Sequence, residues 1–153
     1  MAKLEQAGRT FRTLLLSNSG LIGCAILAAA GMASTAHAEA LPSGGSVVAG
    51  SATITGTSTS TTVVQTSQNA IINWTAFSVD TGNSVNFQLT DVQGATLNRV
   101  TGNTASTIAG QITSNGTVYL VNPNGIAITA EGTVQTGGGF VATTLDIADA
   151  DFM

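Results

Sequence analysis

From residue 46 onward, apolar residues alternate with polar ones or fall in short runs: SVVAG, ATITG, TTVVQT, AIINW, SVNFQL, ATLNRV, TVYLV, GIAIT and FVATT. Val, Ile, Thr and aromatic residues fill these runs, and Gly, Asn, Ser or Asp separates them, the pattern of short strands joined by tight corners. No stretch in this region keeps a 3.6-residue apolar period over about ten residues, so no long helix is predicted and the fold class is all-β.

Towards the C-terminus the strand starts at Gly116, Gly125, Gly132 and Gly139 fall seven to nine residues apart. That spacing suits a two-sheet sandwich as well as a coil of stacked turns. Small stackable side chains, Asn and Gly at the corners and scarce charge favour the coil, a β-helix. In stacked turns equivalent positions lie about 4.8 Å apart, where like charges repel. No repeat of a whole turn is exact. The Thr-rich stretch at 51–66 reads as a polar early strand or cap, because a functional Thr ladder would recur once per turn instead of in one block.

Only 8% of the 153 residues are charged, against about 25% in ordinary domains. Beyond position 38, Arg99 is the one basic residue, against seven acidic ones. A single cation cannot neutralise a row of phosphates, which excludes nucleic-acid binding and, for the same reason, attraction to anionic lipid. Catalysis on acidic polysaccharides fails too, since scattered carboxylates without Lys or His supply neither a base cluster nor a cation clamp. Cys and His are missing from this region and the acids do not follow a calcium-loop spacing, so no metal or cofactor is expected. Arg99 is expected in a salt bridge or corner hydrogen bond, and Trp74 and Phe77 in the core or beneath a cap.

The first 38 residues read as an extended Sec-type signal peptide. Lys3, Arg9 and Arg12 precede the apolar run GLIGCAILAAAGMA at 20–33, and Ala36 and Ala38 place small residues before a cleavage point at Glu39. LIGC at 21–24 offers a competing lipoprotein reading, but the apolar run continues past Cys24, whereas a lipidation site follows such a run. With Cys24 removed, no disulfide can lock the chain before it reaches its destination.

The most specific stretch is YLVNPNGIAIT at 119–129. Asn122 can accept a backbone N–H two residues on, Pro123 presets the first turn dihedral, Asn124 tolerates the second, and Gly125 permits a positive φ into the next strand. A β-turn accounts for this corner, and many sequences make β-turns, so its company matters. In order come QNAIINWTAFSVDTGNSVNFQ from 68, LNRVTGN at 97–103, ITSNGTVYLVNPNGI at 112–126 and GGFVATTLDI at 138–147. This ordered set resembles the N-terminal secretion domain of filamentous haemagglutinin-like exoproteins, the two-partner secretion family, also called the haemagglutination activity domain. A second family motif, Asn-Pro-Asn-Leu, is absent, and IINWTAF stands in its place.

The resemblance implies a right-handed parallel β-helix with an N-terminal cap and short antiparallel strands outside the coil, a secretion domain over residues 39–147, and residues 148–153 as the start of a truncated or missing passenger. It implies export through the inner membrane by the Sec machinery, removal of the signal by signal peptidase, and recognition of the unfolded chain by the periplasmic domains of an outer-membrane β-barrel transporter in a Gram-negative bacterium. Folding would then follow at the cell surface. By the same analogy Asn73, Trp74, Asn122, Pro123, Asn124, Gly125 and Ile126 serve transporter recognition or the first folding step. The alternative reading is an adhesin that itself binds carbohydrate or host receptors, an activity that in such exoproteins would lie in distal regions.

Overall fold

The computed structural model describes residues 40–153; the predicted signal peptide, with Ala36, Ala38 and Glu39 at its cleavage point, lies outside the described residues. The strands are β1 (Ser46–Ala49), β2 (Ala52–Gly56), β3 (Ser60–Gln65), β4 (Asn69–Trp74), β5 (Ser84–Gln88), β6 (Ala95–Val100), β7 (Ser106–Ile108), β8 (Gln111–Ser114), β9 (Thr117–Val121), β10 (Ile126–Ile128), β11 (Thr133–Thr136) and β12 (Gly139–Thr143), and a single helical turn, α1 (Asp149–Phe152), follows.

Three sheets collect these strands in the orders β1-β4-β6-β9-β12, β11-β8-β5-β3-β2 and β10-β7. Successive strands visit the sheets in rotation, and pairing between turns is parallel, as for β4 with β6, β6 with β9 and β9 with β12. A chain that returns to each sheet one strand further along is a coil, here of about four turns. Two strands break the pattern: β1 runs antiparallel to β4 and β2 antiparallel to β3, closing the N-terminal end. The parallel β-helix with antiparallel N-terminal strands expected above is therefore the architecture found.

Alternation along each strand sends every second side chain inward. Stacking then builds ladders across turns, such as Thr61, Val85, Ile112 and Val134. Trp74 and Phe77 are buried, at 1% and 2% exposure, as the sequence predicts. Trp74 meets Phe77 edge-on at 5.6 Å, and Phe77 lies parallel to Phe87 at 6.5 Å, both favourable aromatic geometries.

The short strands β7 and β8 do not stand out in the sequence, being rich in Ser, Thr and Gln. They form because each has a template: β8 sits between β5 and β11, so its backbone groups find partners on both sides. Turns are also unequal in length, with Ala95 beside Asn69 but Gly139 beside Thr117, which hides the whole-turn repeat. Corner amides absorb the irregularity. The Asn115 side chain accepts from Leu89 N at 2.7 Å and donates to Leu89 O at 2.9 Å, completing a strand-like pair where no strand is present.

Outward-facing residues differ between the two large sheets. On the β4-β6-β9-β12 sheet, Ile71, Leu97, Tyr119 and Val141 stack in register. On the other sheet, the row Thr62, Asn86 and Thr113 is polar, with Thr113 Oγ1 bonded to Asn86 Oδ1 at 3.2 Å. Residues 148–153, read from the sequence as the start of a passenger, turn back over the apolar row. Ile147 and Phe152 pack against Ile71, Leu97 and Val121, and Phe152 meets Tyr119 edge-on at 5.4 Å.

Candidate functional site

The Asn-Pro-Asn-Gly corner closes as a hydrogen-bonded β-turn, with Gly125 N donating to Asn122 O at 3.0 Å. Gly125 has φ of +110°, the positive value the sequence predicts and one that side-chain-bearing residues avoid. The expected contact from Asn124 N to Asn122 Oδ1 is present at 2.9 Å.

The Asn122 side chain is also committed elsewhere. Its Nδ2 donates to Thr104 O at 3.0 Å and to Ser106 Oγ at 2.9 Å, while Oδ1 accepts a second bond from Asn124 Nδ2 at 3.0 Å. Two donors and two acceptor positions are thus filled, which is the full capacity of an amide. Asn122 is completely buried. Pro123 and Asn124 are exposed, and Gly125 and Ile126 are half-buried. Asn124 reaches down one turn, donating Nδ2 to Gly102 O at 2.9 Å. Ile126 opens β10 beside Ser106 and packs on the core.

Asn73 and Trp74 belong to the same corner, two turns earlier. Thr101 donates to Trp74 O from both N and Oγ1, at 2.8 and 3.1 Å. A Cβ on Gly102 would collide with the Thr75 carbonyl oxygen, so this position must be glycine for the turns to stack. The column Trp74–Thr75, Thr101–Gly102, Asn122–Asn124 thereby joins sequence blocks far apart in the chain. Inside it, Trp74 Nε1 donates to Asn98 Oδ1 at 3.0 Å, and Asn98 Nδ2 donates to Tyr119 O at 3.3 Å. Asn73 lies on the outer face, paired in register with Ser46 and Arg99, and its buried Oδ1 accepts no hydrogen bond from the described residues.

Four members of this network, Asn98, Gly102, Thr104 and Ser106, are not singled out by sequence reasoning. Their one signal is position: they occupy or follow LNRVTGN, the block one turn before the corner. Arg99 does form the expected salt bridge, contacting Asp146 at 2.7 Å and Asp149 at 2.8 Å. An open hollow lined by Asn83, Ser84, Gln111, Glu131 and Thr133 holds a single carboxylate and none of the motif residues. Glu131 there accepts from Thr129 Oγ1 at 2.8 Å, and this hydrogen bond holds its pKa below the ordinary carboxylate value.

Comparison with known proteins bears on the whole coil. A family model described as the TPS secretion domain matches residues 38–152. A heme/hemopexin-binding protein of Haemophilus influenzae strain Rd is 40% identical over 115 residues, covering 75% of this chain and 13% of that protein. A second protein of that name from Haemophilus influenzae is 41% identical over 86 residues, 56% of this chain and 9% of the other. The crystal structure of the HMW1 secretion domain from Haemophilus influenzae superposes with a TM-score of 0.67 at 38% identity, covering 72% of this chain and 29% of that one. The chain thus spans only a small part of the curated relatives it matches.

Proposed function

The chain belongs to the TPS secretion domain family, and on that premise we propose that its corner column is an address read before folding and a nucleus once folding begins. Members of the family act in two-partner secretion, in which exoproteins leave Gram-negative bacteria through an outer-membrane transporter. In the proposed sequence the signal peptide directs the chain through the Sec machinery, and the extended chain then meets the periplasmic domains of the transporter. Exposed backbone of short Thr- and Val-rich segments pairs with a sheet edge of the receiving domain, and alternate side chains give selectivity.

One observation carries this reading: Asn122 is fully buried and hydrogen-bonded to capacity in the coil. A receptor that reads this side chain must do so before the coil closes. After passage, the same amide joins two turns that the sequence keeps apart, which suits it to nucleation. For roughly 115 ordered residues, typical stability of about 0.05–0.15 kcal/mol per residue gives on the order of 6–17 kcal/mol to oppose backsliding.

The test is binding of the purified periplasmic domains to the chain freshly diluted from urea and to the chain already refolded. Binding confined to the diluted chain, and weakened by Asn122→Ala, is the expected result. Equal binding of the refolded chain would overturn the reading.

A further inference from the structure

The C-terminal segment crosses the outer face of the β4-β6-β9 sheet, and its contacts come from three turns. Asn69 at the start of β4 donates Nδ2 to Phe152 O at 3.0 Å. Arg99 of β6 binds Asp146 through Nε at 2.7 Å, and through its terminal nitrogen Ile147 O at 2.6 Å and Asp149 at 2.8 Å. Tyr119 of β9 receives the Phe152 ring. Burial of the Arg99 guanidinium works to lower its pKa, but hydrogen bonds to Asp149 and Asp146 and their charges outweigh this and hold it above its usual value.

These partners do not exist as a set until β4, β6 and β9 have stacked in register. Ile71, Leu97 and Tyr119 are brought side by side only by the parallel pairing of the three strands. An isolated strand offers the segment one or two of these side chains and not the whole cluster. We infer that residues 146–152 form a latch: a strap that closes late, after the first three turns have stacked, and then slows their separation. The inference concerns the order of closure and stands whether or not folding drives export.

Late contacts act on unfolding rather than on folding, because a bond absent from the transition state stabilises the native state alone. The exported chain, recovered from the medium, is followed through urea unfolding and refolding with Phe152→Ala, with Asp146→Asn/Asp149→Asn, and with the exposed-residue control Leu145→Ala. Phe152→Ala is expected to accelerate unfolding about tenfold with refolding unchanged, and the control to leave both rates unchanged. Raising salt is expected to speed unfolding of the parent chain but not of the double Asn variant, whose partners are uncharged. Refolding slowed in step with lost stability would place the strap in the nucleus and overturn the proposal. Unfolding rates equal to the parent's in both variants would show a passive tail and overturn it too. The Asn substitutions keep side-chain shape on the surface, so this arm remains informative if Phe152→Ala folds poorly.

Discussion

Two sheets of one coil, built from equally short strands, treat their outer faces in opposite ways. The β3-β5-β8 sheet turns out Thr62, Asn86 and Thr113, which are only half-buried, while the β4-β6-β9 sheet turns out Ile71, Leu97 and Val121, all of them buried. A bare face tolerates polar, stackable side chains that satisfy one another along the coil. The covered face behaves as a second small core, and that is where Arg99, the one Lys or Arg among the described residues, binds two acidic groups, Asp146 and Asp149. The difference teaches that burial in this coil is decided by what lies over a sheet, not by distance from its axis.

The strongest way to break the comparison is to truncate one residue on each face. Leu97→Ala removes a fully buried side chain and is expected to lower unfolding free energy by about 2–5 kcal/mol, whereas Asn86→Ala, losing one surface hydrogen bond, is expected to cost about 0.5–1.5 kcal/mol. Equal losses in urea titrations would mean that the strap does not bury its face. Within the corner the same contrast separates two asparagines. Asn122→Ala strands Thr104 O, Ser106 Oγ and Asn124 N and is expected to cost about 2–3 kcal/mol, while exposed Asn124→Ala is expected to cost about 1 kcal/mol.

Gly125→Ala sharpens the point, because a Cβ there meets nothing closer than Ala105 Cβ at 4.0 Å. Its cost, about 1–2 kcal/mol, comes from the positive φ alone. The smallest effect belongs to the bare side. Glu131 has a folded pKa below its unfolded value, so whatever stability it contributes is present above the unfolded pKa and lost as pH falls through the folded one. Thr129→Val should move the NMR titration of Glu131 upward, towards the ordinary carboxylate range, with little change in the denaturation midpoint.

Much of this was legible in the residues. The turn chemistry of Asn122 to Gly125, the burial of Trp74 and Phe77 and the pairing of Arg99 with carboxylates follow from local rules about dihedrals, aromatic area and charge. The inward direction of β6 did not follow. Leu97 is the most apolar residue of that strand, yet it points outward and Asn98 points in, because the strap covers Leu97 and the Trp74 indole needs a partner. Covering by a segment 48 residues away along the chain, as Arg99 is from Ile147, leaves no local mark. The partners of Asn122 were hidden for the same reason: Thr104 and Ser106 acquire meaning only when one turn is laid on the next. The short β7 and β8 likewise depend on templates, not on their own propensity.

The two ends of the coil are chemically unlike, and this gives the molecule a polarity. At one end β1 and β2 lie antiparallel across the first turn and stop it. At the other, β10, β11 and β12 expose parallel edges that carry no partner among the described residues, with Ile126, Val134 and Phe140 only partly covered. A further parallel turn laid down in register would meet its template only at that end, because the outermost strands at the other, β1 and β2, run against the coil, so the molecule has a tail and a tip as a filament does.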